Sequence, residues 1–279
     1  MGLKSYHLKF AWLYLLFAPL FAACGYSATE EVKEPVKYHQ ESAAYLEDGS
    51  ESQVRSARTT AVSNIVLQEK YPSIVVLHGS LQEKKIALTF DDGPDRRYTP
   101  EVLDVLKKHQ VKGTFFLMGS RVMGNQDIAR RIKEEGHVVG NHTYWHPNLS
   151  KEPAERMIWE LEETDRAFQT VYGFRPRLFR APYGFLREDL VEVLGNLNYS
   201  IIGWSVDSLD WNQLSAEQIK NNIRKTLHPG AIILLHSAGD WRQDLSGTVK
   251  GLDELIPELK NEGYQFVTVT ELLGIPEQR

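Results

Sequence analysis

The sequence predicts an α/β fold in which a parallel sheet is covered by helices, and three observations lead there. Short β runs alternate with helical patterns over most of the chain, giving about seven strands. Those runs are nearly continuous apolar stretches, as strands buried on both faces are. Unusual polar residues follow nearly every one of them. A closed barrel and an open doubly wound sheet both satisfy the alternation. The barrel is favoured because the C-terminal strand ends of a barrel form its active face. No Gly-x-Gly-x-x-Gly follows the first strand, which removes the simplest nucleotide-binding open sheet.

The elements follow in chain order. Lys4, His7 and Lys9 lead into the apolar segment Phe10 to Phe21, broken by Pro19. That segment is too short for a comfortable membrane span and reads as an export signal over residues 1–24. Cys24 is the sole cysteine, so no intramolecular disulfide framework exists. It follows Phe21-Ala22-Ala23 and precedes Gly25, a pattern similar to a bacterial lipoprotein processing site, so a lipid anchor at Cys24 is expected. Residues 25–61 are polar without sustained periodicity and read as a flexible linker. A domain is expected over 62–279.

Val62, Ile65, Val66 and Glu69 suit a short helix, and Ile74 to Leu77 a strand. Ile86 to Phe90 is the first strand of the repeating body. Helix and strand then alternate. Helices are predicted over about 100–109, 126–135, 153–172, 188–197, 216–227 and 251–262. Strands are predicted over 114–117, 137–140, 178–180, 200–204, 231–235 and 265–269. Pro100 fits a first helical turn and Gly136 a helix stop.

With 279 residues, 42% hydrophobic and 25% charged, the chain can bury a sizeable core. A net charge of −5 argues against binding a nucleic-acid backbone.

The chemistry lies after the strands. Asp91 and Asp92 end the first strand before Gly93-Pro94 turns the chain. Two carboxylates on one rim can divide the work, one holding a metal and the other handling a proton. Asn141 to Pro147 contains His142 and His146, four apart, which one helical turn would bring to the same side. Together with Asp92 they make a three-ligand site with open positions, the arrangement of a catalytic metal. Zinc suits two histidines and one carboxylate; cobalt, nickel or iron would also accept them. Arg180, beside Asp91, would hold that carboxylate ionised and oriented. Pro182 stiffens the next loop, where the Tyr183 main-chain N–H could face a developing oxyanion. His236 is a general-acid candidate, with Asp210 to orient it and favour its protonated form. Trp211 and Leu234 would wall a pocket and offer an apolar patch to a methyl group. Asp95 and Asp207 fit either site support or surface turns.

These motifs occur in a familiar order: Thr89-Phe90-Asp91-Asp92-Gly93-Pro94, His142-Thr143-x-x-His146, Arg180-x-Pro182-Tyr183-Gly184, Asp207-x-x-Asp210-Trp211 and Leu234-x-His236. Over residues 84 to 272 the chain resembles the polysaccharide deacetylases of carbohydrate esterase family 4, the NodB-homology domain. The resemblance implies a distorted (β/α)7 barrel and one divalent metal on Asp92, His142 and His146. It implies Asp91 as general base oriented by Arg180, His236 tuned by Asp210 as general acid, and a main-chain N–H from Tyr183. The implied reaction is hydrolysis of N-acetyl groups on a polysaccharide. Export and an anchor point to peptidoglycan, with chitin oligomers next. An O-acetyl esterase acting on xylan or a small-molecule amidase, and a non-catalytic wall-binding lipoprotein, are the competing expectations.

Overall fold

The computed structural model describes residues 62–279. The expected signal segment, Cys24 and the linker lie outside the described residues. The first elements are α1 (Asn64–Lys70) and β1 (Val75–Val76). There follow β2 (Lys85–Asp91), α2 (Tyr98–Lys108), β3 (Thr114–Leu117), α3 (Gly119–Gly124), α4 (Gln126–Glu134) and β4 (Val138–Asn141). Next come α5 (Ala154–Tyr172), β5 (Leu178–Phe179), α6 (Glu188–Asn196), β6 (Ser200–Ile202) and β7 (Val206–Asp207). The chain finishes with α7 (Ala216–Thr226), β8 (Ile232–His236), α8 (Ser246–Asn261), β9 (Gln265–Phe266) and α9 (Val269–Leu273). No helix among the described residues is long and apolar enough to cross a membrane.

The hydrogen-bonded path through the sheet is β1-β6-β5-β4-β3-β2-β8-β7, with β9 beside β2. Every one of these pairings is parallel. The sheet curls with helices outside it, but β1 and β7 are its ends and are not paired with each other. This open seam is the distortion of the expected barrel.

Alternation along β2 shows how the sequence builds two layers. Ile86, Leu88 and Phe90 face outward and pack in one cluster with Val102, Leu103 and Leu106 of α2 and Leu252, Leu255 and Leu259 of α8. Ala87, Thr89 and Asp91 face the interior. Ala87 joins Phe116, Val138, Leu178, Ile202 and Ile232, each from a different strand, in an interior apolar layer. Val269 of α9 completes that layer, with Leu272 and Leu273 packed against it. Apolar side chains thus fill the lower interior, and charged residues occupy only the rim at the strands' C-terminal ends.

Three local differences from the sequence expectation have physical causes. The last strand stops at Phe266, not Val269, because Thr268 starts a helix. The Thr268 hydroxyl accepts the Glu271 N–H while the Glu271 side chain returns to the Thr268 N–H, a reciprocal capping box. Helix α8 begins at Ser246, earlier than the expected Gly251, with Gly247 and Gly251 tolerated inside it. Gly247 sits close beneath the Leu214 carbonyl, where a Cβ would lie only 2.0 Å from the oxygen. Helix α3, bracketed by Gly119 and Gly124, is too short for periodicity to reveal.

Candidate active site

Asp91 is the last residue of β2, and its register partner on β8 is His236. Asn141 ends β4 just before His142, and Phe179 ends β5 just before Arg180. The residues singled out from the sequence therefore meet at one end of the sheet. Asp91, Asp92, His142, His146, Tyr183, Trp211, Leu234 and His236 all line one cleft there. Pro182 does not line it; it is buried at the start of the turn that presents Tyr183.

Two adjacent residues of a strand point to opposite sides, yet both aspartates reach this rim. The backbone of Asp92 resolves the conflict by turning left-handed, with φ of 70°. The two histidines converge by a related device, not by the helical turn expected from their spacing. Thr143 and His146 have φ of 66° and 62°, and the segment between the histidines is an irregular loop. Glu160 of α5, itself fully buried, shapes this loop by accepting the N–H groups of Tyr144 and Trp145 at 2.7 and 2.8 Å. Thr143 Oγ1 accepts the His146 N–H at 3.0 Å.

Asp92 Oδ1 lies 3.3 Å from His142 Nε2 and 3.2 Å from His146 Nε2. Donors about 2.0–2.1 Å from a shared tetrahedral ion stand roughly 3.3 Å apart. His142 Nδ1 donates to the Arg180 carbonyl at 2.8 Å, which leaves Nε2 with a lone pair directed at the trio. Asp92 Oδ1 is buried with no hydrogen-bond partner. An orphaned buried carboxylate oxygen facing two imidazole nitrogens fits a cation, so these residues form a candidate metal site. Burial works to raise the Asp92 carboxyl, but His146 and His142 overcome it and hold it well below the usual carboxylate range. Burial also pulls the His146 imidazole below its ordinary value, against the attraction of Asp92, which favours the neutral ligand form.

Arg180 is the largest fully buried side chain of the described residues and stands just past the end of β5. Its Nη1 donates to Asp91 Oδ1 and to Thr89 Oγ1, both at 2.8 Å. Its Nε and Nη2 donate to the Ile202 and Gly203 carbonyls at 3.0 Å each. The guanidinium also packs over Phe116, 4.1 Å from the ring centroid. One oxygen of Asp91 is thereby fixed, and the other, Oδ2, faces the histidine side at 3.8 Å from His142 Nε2.

Asp210 grips His236, the neighbour of Asp91 on β8, twice. Its Oδ1 lies 2.7 Å from His236 Nδ1, and its Oδ2 accepts the His236 main-chain N–H at 2.9 Å. Thr248 of α8 donates to the same Oδ2 at 2.8 Å. Burial disfavours the charged imidazole, but Asp210, with Asp92 and Asp91, prevails and pushes His236 up to about 10. The cleft thus sets a carboxylate, a cation site and a charged imidazole around one small space. That combination can activate water on one side and protonate a leaving group on the other.

Several lining residues carried no expectation from sequence: Met118, Arg121, Trp204, Gly239, Asp240 and Gln243. Arg121 of α3 bridges the Asp92 and Gly239 carbonyls at 3.1 and 2.9 Å. A charged residue shortly after the strand Thr114–Leu117 was the available signal. Of the two ambiguous aspartates, Asp95 accepts the N–H groups of Arg97, Tyr98 and Thr99 and starts α2. Asp207 accepts the Leu209 N–H in a turn.

Fold and site together place a candidate metal site and a carboxylate–imidazole pair on the rim of a curled parallel sheet. Residues 78–202 match the family model described as polysaccharide deacetylase. A peptidoglycan-N-acetylglucosamine deacetylase of Bacillus cereus is 38% identical, covering 85% of this chain and 84% of its own. The peptidoglycan-N-acetylmuramic acid deacetylase PdaA of Bacillus subtilis is 36% identical, covering 76% of this chain and 80% of its own. The crystal structure of the Bc1960 peptidoglycan N-acetylglucosamine deacetylase, in complex with an N-oxidanyl-benzamide, matches with a TM-score of 0.71 and 40% identity. That match covers 73% of this chain and 94% of the other. The chain belongs to the polysaccharide deacetylases of carbohydrate esterase family 4.

Proposed function

We propose that this enzyme removes N-acetyl groups from N-acetylglucosamine residues of peptidoglycan. The observation that carries the reading is the placement of Asp91 and His236, side by side, on the rim that also holds the Asp92, His142 and His146 trio. The identity to peptidoglycan deacetylases over most of both chains supports the choice of polymer.

A divalent cation on Asp92, His142 and His146, zinc by preference with cobalt, nickel or iron as substitutes, would supply Lewis acidity and a more acidic water. The protein's own residues do the rest. Asp91, its Oδ1 held by Arg180, takes the proton of the water that attacks the acetyl carbonyl carbon. The Tyr183 main-chain N–H stabilises the oxygen that gains charge. His236, its Nδ1 tied to Asp210, gives its proton through Nε2 to the sugar nitrogen as the C–N bond breaks. Acetate and a free sugar amine leave. Leu234 and Trp211 wall the space around the acetyl methyl.

The substrate lies outside the cell membrane, which agrees with residues 1–24 acting as an export signal and Cys24 as a lipid anchor. Residues 25–61 then serve as the tether that lets the domain 62–279 reach the wall.

The test is acetate release from peptidoglycan, chitin oligomers and acetylated xylan, after chelation and again after zinc or cobalt is restored. Metal-dependent release with peptidoglycan preferred supports the reading. Preference for chitin oligomers or for xylan replaces the substrate, and binding to wall sugars without release by the metal-loaded protein replaces the activity.

A further inference from the structure

Behind the two histidines runs a buried polar chain that the proposed reaction does not use. It begins at Asn141, whose Oδ1 accepts the Thr143 N–H at 2.8 Å, an Asx turn that spans His142. Thr143 is β-branched yet has φ of 66°, a strained state that persists only when its surroundings over-determine it. Its hydroxyl in turn accepts the His146 N–H at 3.0 Å. The Asn141 amide therefore governs the path of the backbone between the histidines.

An amide can be turned either way, and the groups behind Asn141 select one orientation. Its Nδ2 donates to the Tyr199 hydroxyl at 3.0 Å and to the Leu161 carbonyl at 3.2 Å. Tyr199 gives its one proton to Asp165 Oδ1 of α5 at 2.8 Å, so towards Asn141 it can only accept. Asp165 Oδ2 accepts from Arg279 Nη2. Burial raises the Asp165 carboxyl, and Arg279 works against it. The Arg279 guanidinium also lies over the Tyr199 ring, 4.1 Å from its centroid. Asn141, Asp165 and Tyr199 are all buried, where a hydrogen bond left unmade is costly. Donor and acceptor roles are thus passed from Arg279 through Asp165 and Tyr199 to Asn141, which is left with its oxygen facing Thr143.

We propose that Arg279, Asp165 and Tyr199 are positioning residues for the candidate metal site, acting through the Asn141 amide. They hold the turn that aims His142 and His146 before a cation arrives. This inference rests on the proposed ligand role of the two histidines.

The test measures the zinc Kd of the full chain and of its Tyr199→Phe and Arg279→Gln variants by competition with a chromophoric chelator. Ile223→Ala, a core truncation on α7, is the control, and denaturant melts give the stability of every variant. Hydrogen exchange of the Thr143 and His146 amides is followed on the metal-free proteins. Zinc Kd should rise about tenfold in Tyr199→Phe and about fivefold in Arg279→Gln, with faster exchange at both amides. Ile223→Ala should lose stability yet keep the wild-type zinc Kd. A zinc Kd within about twofold of wild type in Tyr199→Phe, or an equal rise in Ile223→Ala, overturns the proposal, since general loosening then accounts for the change. Should Tyr199→Phe not fold, Arg279→Gln decides by the same criteria. Should wild type bind no zinc, the metal reading fails while exchange still decides the positioning. Faster exchange at Thr143 and His146 in Tyr199→Phe but not in Ile223→Ala upholds it, and unchanged exchange overturns it.

Discussion

Asp91 and His236 are register partners on the adjacent parallel strands β2 and β8, so the two groups proposed to move protons stand side by side on one rim. Each is fixed from behind by a different buried partner, Arg180 for Asp91 and Asp210 for His236. The parallel register sets their spacing and the partners set their orientation, with Asp210 also favouring the charged form of His236.

Asp210 is the partner whose effect can be read by titration. His236 must carry its proton to act as an acid, and its raised value keeps it charged through neutral pH. Activity is therefore lost as pH rises through that value. In Asp210→Asn the supporting charge is gone, so the alkaline limb of the kcat/KM profile should move to lower pH by about one unit or more. A pH–rate profile of the two proteins checks this; an unmoved limb removes Asp210 from the proposed role.

Arg180 makes four hydrogen bonds with three nitrogens, a pattern that lysine cannot copy. Arg180→Lys should fold and lower kcat by about 10²-fold as Asp91 loses its fixed orientation. Arg180→Met leaves a buried carboxylate without its partner and should cost about 3–5 kcal/mol of stability. Steady-state kinetics and denaturant melts of both variants measure the two effects separately.

The residues of the site were readable in the sequence because each polar group directly follows an apolar β run. Asp91, His142, Arg180 and His236 stand at or just after strand ends, where a barrel puts its chemistry. The backbone that aims them was not readable. Asp92, Thr143, His146 and Tyr183 all adopt positive φ, a region that residues other than glycine announce only weakly in sequence. The spacing of His142 and His146 therefore suggested a helical turn where a loop braced by Glu160 stands. The open seam was equally hidden, since β1 and β7 are two-residue strands with no periodicity to read. Thr268 and Glu271 did carry a capping signal, which marks the helix that closes the interior layer.

His142 is the proposed ligand whose tautomer is fixed by the Arg180 carbonyl. His142→Ala should lose both bound metal and activity, with inductively coupled plasma analysis of dialysed protein reading the first and acetate release the second. Full metal retention in this variant refutes its place among the ligands.

His137 makes a stability prediction independent of the catalytic cleft. It is buried against Phe115 and accepts the Gly113 N–H through Nδ1, with burial and then Lys112 pulling it down to about 4. The unfolded chain binds this proton near pH 6.5 and the folded one does not, so stability falls as pH drops from 6.5 towards 4. The shift corresponds to about 3 kcal/mol across that window. Chemical denaturation at pH 7 and pH 4.5 should show the loss, and His137→Gln should reduce it; an unchanged pH dependence in the variant contradicts the assignment.

The proposed mechanism divides the work between two neighbouring carboxylates, Asp92 for the metal and Asp91 for the proton. Asp91→Asn tests it most directly, with metal content and acetate release measured on one preparation of the full chain. The account predicts wild-type metal stoichiometry and a fall in kcat of about 10²–10⁴-fold. Turnover near wild type, or loss of the metal along with activity, would contradict it.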